Sequence, residues 1–285
     1  MSSMREQRIA VELRRLRGDR TGAEVQEATG ITPSKLSRIE SGEVRPKPGD
    51  IRRLAEFYGA MPSTVDRLVE QAEAARQPQW WTHYLGKDWD SALRHHLELE
   101  TEASQVISWM IDLVPGPLQT TDYFRALVEG RPDVDQEQMD QRIALREARR
   151  ARVERGELPM WVVLAEGVLF QEIGGRLVLA DQLRYLTTLD TVTVQVMPFS
   201  AGAHPGLGTS FHLMNFPTWP TTVYQDTITR GLYQDEPSIV AAHEHTMAHI
   251  RATALSPRES RQRLLSRADE LEGRGRDGLA GDQER

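Results

Sequence analysis

Residues 21–49 read TGAEVQEATGITPSKLSRIESGEVRPKPG, and this stretch decides how the N-terminal part of the chain folds. Its spacing predicts two short helices joined by a tight turn. Gly30 stands between Ala28 and Ile31, where such a turn needs a residue free to take positive φ. Thr32 is placed to cap the second helix, and Pro33 occupies its first position, where a missing N–H costs nothing. Leu36 and Ile39, at i and i+3, then face inward, and Gly42 ends the helix. Ser34, Lys35, Ser37, Arg38 and Ser41 are left facing outward. A helix with that outer face carries donors able to reach base edges and phosphates in a major groove. A helical hairpin inside another kind of domain shares the local pattern. The SRIESG helix end and the basic exit arm Arg45-Pro46-Lys47-Pro48 are what set this one apart.

Working outward, Ile9, Leu13 and Leu16 form the apolar stripe of a preceding helix. Asp50 reads as the N-cap of IRRLAEFYGA, in which Ile51, Leu54 and Tyr58 align and Gly59 closes the helix. A further helix over 63–76 presents Val65, Leu68, Val69 and Ala72. Residues 1–76 are therefore expected to be a five-helix, all-α module. Gln77-Pro78-Gln79 opens a linker, 77–90, that carries Trp80, Trp81, Tyr84 and Trp89. These rings either pack against a domain or form an inter-domain latch or docking strip.

The chain has 285 residues, 39% of them hydrophobic and 27% charged, which fits a globular protein of one large or two ordinary domains. No apolar run approaches 18 residues, MSSMREQRIA lacks the apolar core of a secretion signal, and there is no cysteine. Membrane spanning, disulfides and thiolate chemistry are excluded, and a cytoplasmic, nucleoid-associated location is expected. The net charge is −7, but residues 1–53 hold 12 Lys or Arg against 8 Asp or Glu, a balance of +4, so the remainder carries −11. Phosphate attraction acts over a Debye length of roughly 8–10 Å. A basic module can thus bind while the rest of the chain is acidic.

Residues 91–272 are expected to form an α+β domain. The pattern predicts a helix over 91–103, a strand at 106–111, a turn at Pro115-Gly116-Pro117 and a helix at 121–129. Asp135 with Gln138 resembles a capping box opening a long helix to about 155. That helix bears arginines 142, 146, 149, 150, 152 and 155 with Glu147 and Glu154 interspersed. It reads as a solvated, salt-bridged surface rather than a second phosphate-binding face. Strands follow at 160–165 and 192–199, separated by a helix at 179–189, with further strands near 209–216, 221–226 and 228–233. Pro237 and Pro257 each open a closing helix, and the Gly-rich, charged residues 273–285 are expected to be disordered.

Residues 5–60 resemble the Xre-type helix-turn-helix domain shared with phage repressor and Cro proteins. Residues 80–270 resemble the second domain of a group of actinobacterial regulators described as WhiJ-like or antitoxin-like. That likeness rests on WWTHY (80–84), LVPGPLQTTDYFRAL (113–127), RIALREARR (142–150), VTVQVMPFSAGAHPGLGTSFHLMNFP (192–217) and ALSPRESRQRL (254–264). The resemblance implies a sequence-specific, dimeric transcriptional regulator encoded beside a small partner protein. It places base reading at Ser34, Ser37 and Arg38, with Lys35 close by and Arg38 as the candidate for a bidentate guanine contact. Ser41, Arg45, Lys47 and Thr21 would hold phosphates. Two positions depart from the motif: Gln26 stands where a small residue is usual, and Gly22 replaces a polar phosphate clamp. The second domain would receive a small protein or ligand at two turn-rich loops, with Trp80 and Trp81 as further contacts. One loop offers Pro115, Gly116, Leu118 and Gln119; the other offers Pro198, Phe199, His204, Pro205 and Gly206.

Two other classes of protein share parts of this pattern. In HEHTMAH (243–249), His245 and His249 have the i, i+4 spacing that lets two imidazoles share a zinc ion. Met247, however, leaves His243 without an i+4 partner, and a third ligand would have to come from elsewhere, such as His204 or Glu244. There is no Gly-rich phosphate loop, nucleophile elbow or carboxylate pair, so neither enzymatic activity nor a cofactor is expected. An assembly module whose helix-turn-helix has lost DNA binding is the remaining alternative.

Overall fold

The computed structural model describes residues 4–77, 79–84, 91–129, 136–217, 219–227 and 230–281. The chain divides into two compact units: Met1–His83 with Leu93–Glu98, and Tyr84–Ala92 with Leu99–Arg285.

The first unit is built on five helices, α1 (Met4–Arg17), α2 (Gly22–Thr29), α3 (Pro33–Glu40), α4 (Pro48–Phe57) and α5 (Pro62–Ala74). The apolar stripes converge on one core containing Ile9, Leu13, Val25, Ile31, Leu36, Ile39, Ile51, Leu54, Val65 and Leu68. α4 begins earlier than expected. Lys47 is its N-cap, Pro48 takes the first position, and Asp50 lies in the first turn rather than capping it. A proline two residues before Asp50 is already compatible with helix, so the helix starts there.

After α6 (Ser91–Glu102) the second unit forms a six-stranded sheet from β1 (Gln105–Met110), β2 (Met160–Ala165), β3 (Val192–Met197), β4 (Phe211–Asn215), β5 (Thr222–Asp226) and β6 (Gly231–Gln234). Their order is β3-β2-β1-β4-β5-β6. β1, β2 and β3 run parallel, and β4, β5 and β6 extend the sheet antiparallel from β1. Helices α7 (Thr121–Glu129) and α8 (Gln136–Glu154) connect β1 to β2, and α9 (Arg176–Leu186) connects β2 to β3. α10 (Pro237–Thr253) and α11 (Pro257–Gly281) follow β6. Alternate residues Ile107, Trp109, Val163, Met197, Phe211 and Leu213 meet Val240, Met247 and Ile250 of α10 in one core. The intervening residues Val106, Val162, Leu164, Val194 and Val196 are also buried. A sheet covered on both faces explains why β2, MWVVLA, reads as an unbroken apolar run; β3, VTVQVM, alternates as a half-buried strand would, yet its Gln195 is buried too.

α11 packs on α9 and β3. It is tied to the β3 edge where Ser260 Oγ receives the Val196 N–H at 2.9 Å. Residues 282–285, at the end of the tail expected to be disordered, lie outside the described residues. The expected cap at Asp135 and the linker ring Trp89 lie outside the described residues.

The arginine-rich face of α8 differs from the solvated surface expected. Arg149 and Arg152 are buried. Arg149 Nε donates to Glu100 Oε1 at 3.0 Å, and the Arg146 guanidinium lies 4.3 Å from the Phe124 ring centre. The partner carboxylate is 49 residues away, outside any helix-spacing argument.

Candidate nucleic-acid interface

The α2–α3 hairpin is set by local chemistry at each end. The Thr21 hydroxyl accepts from the Glu24 N–H at 3.3 Å, and the Thr21 N–H donates to Glu24 Oε2 at 2.6 Å, a reciprocal capping box. The Thr21 N–H, and after it the Thr21 hydroxyl donating to the same Glu24 oxygen at 2.8 Å, hold the Glu24 carboxyl below its usual range. Gly30 closes α2 at φ 72°, donating its N–H to the Gln26 carbonyl at 2.9 Å. The Thr32 hydroxyl then accepts from the Lys35 N–H at 3.3 Å and starts α3. Gln26 is exposed, so its length does not intrude between the helices. Gly22 is constrained: a Cβ there would lie 3.2 Å from Pro33 Cβ, at the start of α3.

α3 is anchored from behind by a charged residue. Glu40 is buried; Arg17 Nε approaches its Oε1 at 3.1 Å, and Arg14 donates to its carbonyl oxygen. Burial raises the Glu40 carboxyl pKa, opposed by Arg17 and Arg14. Nearby Tyr58 is pushed up to about 12, first by burial and then by the Glu40 charge. With Leu36, Ile39 and Glu40 turned inward, Ser34, Ser37, Arg38 and Ser41 face solvent.

The cations of this face fall into two groups. Lys35 Nζ lies 2.7 Å from Asp50 Oδ2, and Arg53 donates to Asp50 Oδ1 at 2.5 Å. Arg45 Nε donates to Glu6 at 2.7 Å. Arg52 faces Asp66 at 3.4 Å. Among the described residues, the side chains of Arg38 and Lys47 meet no carboxylate. Thr21 and Ser41 are exposed, but both hydroxyls already bond within their own turns. Sequence reasoning missed the supporting residues Glu6, Arg14, Arg17, Glu40, Asp50 and Tyr58. The sequence does carry a signal for Glu40, since i+4 from Leu36 puts a carboxylate on the inward stripe, and for Tyr58, which shares the stripe of Ile51 and Leu54.

The second unit separates the residues expected to receive a partner. Pro115, Leu118 and Gln119 are interior: Gln119 Nε2 donates to the Val114 carbonyl, and Gln182 of α9 bridges the Leu118 carbonyl and the Thr120 N–H at 2.8 and 2.7 Å. Gly116 is crowded by Arg146, whose Nη1 lies 1.9 Å from where a Cβ would stand. Gly206 is buried, and its carbonyl accepts the Trp109 indole N–H at 2.7 Å. His204 is a turn residue, its Nδ1 accepting the Gly206 N–H at 3.2 Å and its ring edge-on to Trp109. Phe199 is 68% exposed, its ring 6.0 Å from exposed Phe170; Pro205 is exposed and Pro198 half-buried. In the first unit Trp81 is buried and Trp80 half-buried. On α10, His243 Nδ1 lies 2.8 Å from the Ile239 carbonyl, while His245 and His249 are exposed. Among the described residues no three His, Asp or Glu side chains converge as metal ligands, and no helix is long and apolar enough to cross a membrane.

A capped hairpin with a Gly30 turn and an outward hydroxyl-and-arginine face defines a helix-turn-helix protein, and residues 8–68 match the family model described as a helix-turn-helix domain. Residues 93–266, more than half of the chain, match a second family model, and the chain belongs to that family, Domain of unknown function (DUF5753). No curated protein and no solved structure matches it.

Proposed function

We propose that the protein is a sequence-specific DNA-binding transcriptional regulator of the Xre type. The observation carrying this reading is the outer face of α3, where Ser34, Ser37 and Arg38 are exposed together and Arg38 meets no carboxylate. Arg38 reads a guanine edge, the serines contact neighbouring bases, and Lys47, Ser41 and Thr21 touch phosphates. The protein works as a homodimer, with half-sites about one helical turn, roughly 34–36 Å, apart. Its second domain receives a small neighbour-encoded protein or ligand in an antitoxin-like arrangement that modulates DNA affinity. For the partner, the exposed part of the 198–208 loop around Phe199 and Pro205 offers a surface. The 115–119 turn, with Leu118 and Gln119 buried, offers much less.

Footprinting on the region upstream of the protein's own gene tests DNA recognition, with a discrete protected sequence expected. No protection, even with the neighbouring gene product present, contradicts it. Operator affinity measured with and without that gene product tests the coupling, which an unchanged affinity would exclude.

A further inference from the structure

The cations beside the reading helix are largely neutralised from within. Asp50 is the centre of this arrangement: its side chain is 4% exposed, and it takes Lys35 on one oxygen and Arg53 on the other, which are 40% and 56% exposed. Glu6, 5% exposed, does the same for Arg45. Because these carboxylates are buried, salt and water screen the pairs less than ordinary surface pairs. Arg52 is different, since both its acceptors, Asp66 and Glu56, lie on the surface. Between residues 35 and 53, then, only Arg38 and Lys47 are left without a carboxylate among the described residues. Lys35 belongs to the first turn of α3 and would otherwise be among the cations nearest a bound backbone.

We infer that Asp50 is a specificity-determining positioning residue, which holds Lys35 and Arg53 away from DNA phosphates so that α3 reads bases with little sequence-independent attraction. This inference rests on the DNA-binding reading above. Phosphate contacts supply affinity without sequence information, and each one neutralised steepens the salt dependence of log Kobs by about 0.9. Withholding two cations lowers affinity for all duplexes alike and leaves the Arg38 contact to discriminate. Asp50 and Arg53 both belong to α4, so the Lys35–Asp50 pair also ties α3 to α4.

The test compares wild type, Asp50→Asn, Lys35→Met and the double variant of the full chain. Binding is measured to a short mixed-sequence duplex and to the fragment upstream of the protein's own gene, over a range of salt. Asp50→Asn should steepen the salt dependence by about one to two and shrink the preference for the upstream fragment. Lys35→Met should leave the wild-type slope unchanged but remove about one unit from that of Asp50→Asn. An unchanged slope in Asp50→Asn overturns the inference, as does a slope lowered by Lys35→Met alone, which would mean that Lys35 already holds a phosphate. A double-mutant cycle on urea unfolding, without DNA, supplies a second readout: zero coupling between Lys35 and Asp50 also overturns it. Wild type binding neither duplex at low salt removes the DNA-binding reading and this inference together, whereas the other adverse results remove only the inference.

Discussion

The indole N–H of Trp109 on β1 donates to the carbonyl of Gly206, 97 residues later in the chain, at 2.7 Å. The bond pins the 198–208 loop against the middle of the sheet. There is no room for a side chain: a Cβ on Gly206 would lie 2.6 Å from Ile250 Cδ1 and 2.9 Å from Trp109 Nε1. Gly206→Ala should therefore destabilise the fold by about 1–3 kcal/mol, the usual cost of overpacking a filled core. Urea unfolding followed by tryptophan fluorescence measures this, and an unchanged midpoint would show that the loop yields freely.

Glu100 and Arg149 form a buried ion pair, 3% and 7% exposed, in the second unit. Breaking such a pair from one side usually costs about 3–5 kcal/mol, because a charge stays behind in a dry site. Glu100→Gln should lower the denaturation midpoint accordingly. The cost should shrink when Arg149→Met is added, a sign that a double-mutant cycle in urea can establish.

The hairpin caps give a smaller, separable effect. Thr21→Ala removes the acceptor for the Glu24 N–H and should cost about 1 kcal/mol. Only the stability of the first unit should respond, and hydrogen exchange of α2 amides is the direct measurement.

Acid should loosen the attachment of α3 to α4. Burial pushes the Asp50 pKa up, but hydrogen bonds from Lys35 and Arg53 outweigh it, and the net shift is downward. A carboxyl depressed on folding stabilises above its unfolded value, roughly 3.9, and that stabilisation is lost as pH falls through the folded value. Glu40 has the opposite sign: its raised pKa means that its ionisation costs stability as pH rises through the carboxylate range. Asp50→Asn should flatten the acid limb of a stability–pH curve, and Glu40→Gln should steepen it. Identical limbs in all three proteins would exclude these assignments.

What the sequence makes legible is what is held locally. Gly30, the Thr32-Pro33 pair and Gly42 act within a few residues of themselves, and the hairpin they predict is the one observed. Strands β1 and β2 are visible as short apolar runs and β3 as an alternating one, each within a residue or two of its observed limits. Long-range partners were not visible. Asp50 looks like a cap because Lys35, its counter-charge, is 15 positions away on another helix. Pro115-Gly116-Pro117 looks like an open turn, yet Gln182 bonds the Leu118 carbonyl and the Thr120 N–H just after it, from 64 and 62 residues away. Arg149 looks solvated because its nearest sequence neighbours are charged, while Glu100 comes from a different element.

If the exposed face of α3 chooses among base pairs, Arg38 must carry much of the choice. Gel retardation of the fragment upstream of the protein's own gene, against scrambled competitor, should show a preference in wild type that Arg38→Ala reduces by about 1–3 kcal/mol. Equal preference in the two proteins, with both folded, would contradict it.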